Sequence, residues 1–178
     1  IERRNERVAT YAGRVAIRQR ATAVWSGMDG SLETFERAKP RGIVCVLDAF
    51  IGHPAELNAT LAEEMRRWPV VASRDRIRPR HLARLMAEIA AADLLVVGSE
   101  FARETYIARG VAPERIRVIP YGVDTRQFVP AERPSSGGET LQALFVGNVS
   151  VRKGCRYLIE AVRSLPNVRL TLVGGIED

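Results

Sequence analysis

Short apolar runs alternate along this chain with longer segments of helical periodicity, and that alternation narrows the fold more than any other feature. Ile43 to Leu47 is a nearly continuous apolar run, the pattern of a strand covered on both faces. Pro54 suits a first helical turn, and Leu57, Leu61, Met65 and Trp68 then follow on one helix face until Pro69 stops the pattern. Arg80 to Ala92 reads as the next helix and leads into a strand from Asp93 to Val97. Ser99 is placed to cap a helix running to Gly110, and Ile116 to Ile119 is a further strand closed by Pro120. Strands that alternate with helices of this length predict parallel βαβ units, the Rossmann-like α/β class.

Before residue 41 the signals are weaker. Glu2 to Arg20 lacks proline and carries charges at helical spacing, so an exposed helix is expected, and Gly27-Met28-Asp29-Gly30 breaks the chain after it. From Pro130 to Glu139 the periodicity vanishes, and Pro134-Ser135-Ser136-Gly137-Gly138 carries turn and flexibility signals. The pattern then restarts as a strand from Ala143 to Val146, a helix from Lys153 to Leu165 and a strand from Val168 to Val173. The expected organisation is one domain over 1–128, a linker over 129–140, and the start of a second α/β domain over 141–178.

Composition excludes several classes. The 178 residues are 46% hydrophobic, enough for a core, and no stretch approaches the roughly 20 apolar residues of a membrane span. The chain opens on Ile1 and stops at Asp178 just after an apolar run, which reads as a piece of a longer polypeptide without a signal peptide. Its formal charge of +6 comes almost wholly from arginine and attracts anions, among them nucleoside diphosphates and phosphorylated lipids. The arginines are spread out and accompanied by acids, with no dense basic tract interleaved with aromatics, so nucleic acid is not an expected partner. Two isolated cysteines, Cys45 and Cys155, and two histidines, His53 and His81, form no disulfide framework or metal-ligand spacing; a cytoplasmic protein without a metal is expected.

The stretch from Leu144 to Gly154 carries most of the chemistry. A strand ends at Gly147, a short loop follows, and a helix starts beside Arg152 and Lys153. In open α/β sheets ligands sit beyond the carboxyl ends of strands. A glycine there admits close backbone approach, while helix amides and two cations favour a diphosphate. Strand–glycine–helix junctions are common, and this one is neither a Walker loop nor a dinucleotide glycine fingerprint.

Val146-Gly147 followed by Arg152-Lys153-Gly154 and Tyr157-Leu158-Ile159-Glu160-Ala161 resembles the start of the C-terminal domain of GT-B-fold glycosyltransferases of family 4. Ile119-Pro120-Tyr121-Gly122-Val123-Asp124, with Phe128 four residues on, is similar to that family's Pro-x-Gly-Val-Asp segment. Ala92-Asp93 to Ser99-Glu100-Phe101 and Gly110-Val111 match the helix–strand–helix before it, and Gly52-His53-Pro54 resembles an N-terminal segment that brings a histidine to the cleft. The likeness is good from about Ala91 to Gly175, weaker from Arg41 to Arg80, and absent before that.

The resemblance implies an N-terminal acceptor domain facing a C-terminal nucleotide-sugar domain, and a retaining transferase of hexosyl type with no tightly bound cofactor. The expected donor is a nucleotide-diphosphate sugar and the acceptor a carbohydrate or a lipid-linked molecule. Lys153 is the expected contact to the donor diphosphate, joined by Gly147, Asn148 and Arg152. A fixed cation there lowers the barrier as the leaving diphosphate gathers charge. The family usually places arginine directly after the strand-ending glycine, where this chain has Asn148, which brings no charge. The family's acidic donor-recognition motif lies beyond Asp178, so the fragment alone is expected not to turn over. A phosphorylase, a sugar-nucleotide epimerase and a non-catalytic nucleotide-sugar-binding module are the alternatives.

The remaining candidates each have a plain structural reading beside the functional one. His53 could hydrogen-bond the transferred sugar or polarise an acceptor hydroxyl, or be a satisfied loop histidine. Tyr121, Gly122 and Asp124 are expected to line the cleft floor, with Asp124 more suited to capping a turn than to acting as a base. Ser99 could receive an anionic acceptor group or simply cap its helix. The run Arg74-Asp75-Arg76-Ile77-Arg78-Pro79-Arg80 could meet an anionic membrane surface or be a solvated loop.

Overall fold

The computed structural model describes residues 2–68, 76–130 and 140–176. Its elements run α1 (Glu2–Arg18), β1 (Ala23–Gly27), α2 (Leu32–Ala38), β2 (Val44–Ala49), α3 (Pro54–Arg67), α4 (Pro79–Ala91), β3 (Leu94–Val97), α5 (Glu100–Ala108), β4 (Ile116–Val118), β5 (Leu141–Val146), α6 (Cys155–Arg163) and β6 (Val168–Val173). The chain divides into two compact units, residues 1–57 with 77–122 and residues 58–76 with 123–178. Among the described residues no helix is long and apolar enough to cross a membrane.

The first unit is a four-stranded parallel sheet in the order β1-β2-β3-β4. Parallel strands need a crossover between them, and the helices between consecutive strands supply it. Cys45, Leu47 and Ala49 on β2, with Leu95 and Val97 on β3, face a core completed by Phe35, Leu85, Ile89, Ala102 and Tyr106 from α2, α4 and α5. Val46 and Val96, which point the other way, are buried too, as a strand covered on both faces requires. Each fully buried Leu or Phe contributes about 1.5–3 kcal/mol through water removed from its surface.

Two elements here were not legible in the sequence, β1 and α2, and α1 differs from expectation. Helix α1 was expected to be exposed, yet one face packs closely on α2 through Ala9, Gly13 and Ala16. A Cβ at Gly13 would lie 3.3 Å from the Thr34 Cα and 3.1 Å from Arg37 Cδ, so the absent side chain sets the spacing. Thr34 Oγ1 donates to the Ala9 carbonyl at 2.9 Å and fixes the register of the pair.

The loop between β1 and α2 is held by a buried carboxylate. Glu88 of α4 is fully buried and accepts from the backbone amides of Asp29 at 2.7 Å, Ser31 at 2.9 Å and Leu32 at 3.3 Å. The Ser31 and Leu32 amides open α2 and lack partners within the helix, so Glu88 does from a distance what an N-cap side chain does locally, while the Asp29 amide holds the loop before it. Burial raises the Glu88 carboxyl above its ordinary range, against the pull of those amides and of Arg84. Arg84 itself pairs bidentately with Glu33 at 2.7 and 2.8 Å, which holds Glu33 below the usual carboxylate range.

The second unit contains the parallel pair β5–β6, with α6 between them in sequence. Both strands alternate in burial, with Phe145 and Leu170 half-buried while Leu144 and Val146 on the opposite face stay exposed. Helix α6 begins at Cys155 and not at Lys153 as expected. Gly154 takes the left-handed conformation, φ +67°, which interrupts the helical path, so Arg152 and Lys153 occupy the preceding turn. Of the expected linker, residues 131–139 lie outside the described residues, as do Arg74 and Asp75 of the arginine run.

Candidate functional site

The turn after β5 is built by two glycines facing each other. Gly147 ends β5 with φ +147°, and Gly174 ends β6 with φ +150°. A Cβ on Gly174 would sit 2.0 Å from the Gly147 carbonyl oxygen, a distance no side chain tolerates. The two strand-end turns also continue the ladder past the strands, with Gly147 N–H donating to the Val173 carbonyl at 2.9 Å and Val149 N–H to the Gly175 carbonyl at 2.8 Å. Gly174 escaped the sequence reading, although the Gly174-Gly175 pair closing an apolar strand was its available signal.

Four of the expected donor-site residues, Gly147, Asn148, Arg152 and Lys153, lie on this one turn between β5 and α6. Asn148 exposes its side chain, and its carbonyl faces the buried Cys155 thiol at 3.9 Å. Arg152 and Lys153 are both exposed. The cavity that does form against the turn, about 340 Å³, is lined by Val149, Ser150, Val151, Gly154 and Cys155, but by neither cation. Its wall is mostly apolar, so it is distinct in character from a diphosphate cradle.

In the first unit the candidates gather at the carboxyl ends of the parallel strands, where open α/β sheets hold ligands. Tyr121, after β4, lies across Gly98, after β3, where a Cβ would meet the Tyr121 ring at 2.8 Å. Its hydroxyl donates to the Phe50 carbonyl, after β2, at 3.3 Å, while most of the residue stays exposed. One exposed tyrosine therefore ties three strand ends together, an arrangement that no local sequence pattern announces. Gly122 meets open space where a Cβ would stand, so nothing steric requires glycine there.

His53 is 1% exposed, and the expectation that it faces an open site is not what the structure shows. Its Nδ1 accepts from the Ala55 amide at 3.2 Å, capping the first turn of α3, and its own amide donates to Thr105 Oγ1 at 2.8 Å. The ring packs edge-on against Tyr106, centroids 5.2 Å apart, and Nε2 has no hydrogen-bond partner among the described residues. Burial, with help from the nearby Arg109 charge, lowers its pKa, so His53 is a neutral capping imidazole. Tyr106 is likewise pushed upward by burial and stays protonated.

Ser99 caps α5 as its position implied, Oγ accepting from the Ala102 amide at 3.2 Å. Asp124, in the second unit, closes its own turn: Oδ1 accepts from the Arg126 amide at 2.9 Å and the Arg126 side chain at 3.3 Å, and both interactions lower its pKa. Among the described residues no three His, Cys, Asp or Glu side chains gather as a metal-ligand set.

Parts of the chain are similar to known proteins. Residues 55–127 match the model of Glycosyltransferase Family 4. Over that segment the chain is similar to family 4 glycosyltransferases. The matched segment runs from α3 through α5 and β4 to the turn around Asp124, and stops short of both His53 and the glycine turn. A D-inositol 3-phosphate glycosyltransferase from Mycobacterium sp. (strain KMS) is 34% identical over 92 residues, 47% of this chain and 21% of that protein. One subunit of the phosphatidylinositol N-acetylglucosaminyltransferase of Arabidopsis thaliana is 33% identical over 97 residues, 51% of this chain and 21% of its own length. The chain thus spans about a fifth of the curated relatives it matches. Among solved structures, the S. aureus MnaA–UDP co-structure has 11% identity and a TM-score of 0.47, over 97% of this chain and 44% of the other. The UDP-GlcNAc 2-epimerase of Methanocaldococcus jannaschii has 11% identity and a TM-score of 0.43, over 96% and 56%. Likeness at that level adds nothing to the similarity seen over residues 55–127 and to the curated relatives.

Proposed function

We propose that this family 4 type chain is part of an enzyme that moves a hexosyl group from a nucleotide-diphosphate sugar to an acceptor, with retention at the anomeric carbon. In this reading the first unit presents the acceptor at its strand-end face around Tyr121 and Ser99. The second unit holds the donor diphosphate at the turn from Gly147 to Gly154. The observation that carries it is the paired glycine ends of β5 and β6: backbone free of side chains, at the carboxyl edge of a parallel sheet, with Lys153 two residues before α6. Charge gathers on the leaving diphosphate as the glycosidic bond breaks, and a lysine ammonium within reach stabilises that charge. The inositol-phosphate and phosphatidylinositol names of the relatives support an acceptor bearing a phosphate or a lipid. His53, buried as a helix cap, takes no part. The 178 residues alone bind donor weakly and do not turn over.

Titration calorimetry with UDP and GDP, followed by a transfer assay on the full-length protein, tests this. Lys153→Ala is expected to lower turnover about a hundredfold, in line with the loss of one transition-state charge contact. Near-normal kinetics in that variant would remove Lys153 from the mechanism. A second reading, a non-catalytic nucleotide-sugar-binding module, draws support from Asn148 standing where the family usually has a second cation. Diphosphate binding without turnover selects it.

A further inference from the structure

The apolar cavity beside the glycine turn lies wholly within the second unit, with Met65, Trp68, Val149, Val151, Tyr157 and Ile176 in its wall. Its volume, about 340 Å³, falls in the range that holds small organic ligands. The polar groups in the wall are the informative part. Trp68 Nε1, Ser150 Oγ and Arg156 Nε are all buried and, among the described residues, without a hydrogen-bond partner. Two of them are donors only, and the hydroxyl can donate as well. The guanidinium of Arg156 lies over the Trp68 ring, 3.8 Å from its centroid, so the charge and the indole N–H belong to one cluster.

The acids in the same wall have partners other than these three donors. Glu64 accepts from the Tyr157 hydroxyl at 2.6 Å, and Glu160 pairs with Arg163 at 3.6 Å. The Cys155 thiol is directed at the Asn148 carbonyl. The three donors are therefore left without an acceptor, which is costly for buried polar groups. Three such donors around one apolar space describe a ligand with an apolar body and an oxyanion head.

We propose that this cavity is a binding site for a small amphiphilic carboxylate, its head on Trp68, Ser150 and Arg156 and its body against Met65, Val149, Val151 and Ile176. The site shares the turn from Gly147 to Gly154 with the proposed donor position, but neither Arg152 nor Lys153 lines it. It does not depend on the transferase reading.

The test uses the 178-residue chain carrying Trp25→Phe, in which Trp68 is the remaining tryptophan, because Trp25 is 60% exposed on β1 and would mask its signal. Decanoate, decanol and decyltrimethylammonium are titrated against Trp68 emission, with circular dichroism confirming the fold of each variant. Decanoate is expected to shift the emission and bind at least tenfold more tightly than decanol, with the ammonium compound weaker still. Arg156→Leu should erase the preference for decanoate over decanol, and Ser150→Ala, a smaller change that spares the fold if Arg156→Leu does not, should lower decanoate affinity severalfold while leaving decanol unchanged. Equal affinity for all three, preference for the cation, or no emission change with any of them overturns the proposal.

Discussion

Replacing Gly174 by alanine asks the two strand ends of the second unit to separate. The new Cβ would stand 2.0 Å from the Gly147 carbonyl oxygen and 2.6 Å from its carbonyl carbon, both backbone atoms that no rotamer change can move. Reaching the ordinary contact distance of 3.4 Å means a displacement of about 1.4 Å, at a φ of +150° that L side chains rarely adopt. The conformational strain costs about 1–3 kcal/mol. The shift also breaks the bonds from Gly147 N–H to Val173 and from Val149 N–H to Gly175, at about 1 kcal/mol each. The expected loss is about 3–5 kcal/mol, a large share of the 5–15 kcal/mol that holds a typical domain. Gly175→Ala is the internal control: its Cβ meets the Asn148 side chain at 3.7 Å, ordinary contact, with no positive φ. That neighbour should be neutral or stabilising by about 0.4–1 kcal/mol, through the smaller entropy of its unfolded chain. Urea denaturation followed by circular dichroism measures both. Equal stability of the two variants to within about 0.5 kcal/mol would refute the interlock and, with it, the reason for reading this turn as a place where backbone must come close.

Two further outcomes follow from the first unit. Glu88→Ala leaves three amides of the β1–α2 loop and the α2 start unpaired and should cost about 3–5 kcal/mol in urea denaturation, with Glu88→Gln in between because one oxygen still accepts; a loss below about 1 kcal/mol would show that the loop re-forms without the carboxylate. Because the His53 pKa is depressed on folding, the unfolded chain takes up the proton first as pH falls, so its contribution to stability is complete above about pH 6.5 and is lost below it, by at most about 1.4 kcal/mol per unit. The stability difference between wild type and His53→Gln should therefore shrink between pH 7 and pH 5, and a difference that holds constant over that interval would mean His53 keeps its ordinary pKa.

Elements that depend on nearby residues alone were legible. The apolar stripe of α3, the Ser99 cap and the strands from β2 onward each follow from spacings within a few residues, and the structure places them within a residue or two of expectation. β1 was missed because Ala23-Val24-Trp25-Ser26-Gly27 is a short, mixed segment that becomes a strand by pairing with β2. α2 was missed because seven residues with two glutamates and an arginine show no clear stripe; it is fixed by α1 on one side and by Glu88 at its start. Within the candidate sites, the glycine turn could be pointed to from its composition. The burial of His53 could not, because Thr105 and Tyr106, the groups that enclose it, come some fifty residues later.

The amino-acid order by itself determined the class of fold, through the strand–helix alternation, and the position of one glycine turn with two cations ahead of a helix. Those are consequences of backbone propensity and side-chain periodicity, which act over one or two turns of chain. Only the tertiary structure decided which groups are exposed and which are closed off: that His53 is a buried cap, that Gly174 is locked against Gly147, and that the space beside the turn is mostly apolar with three buried donors left without a partner among the described residues. Solvent exclusion and close approach depend on residues distant in sequence arriving at the same place, and no local pattern encodes that meeting.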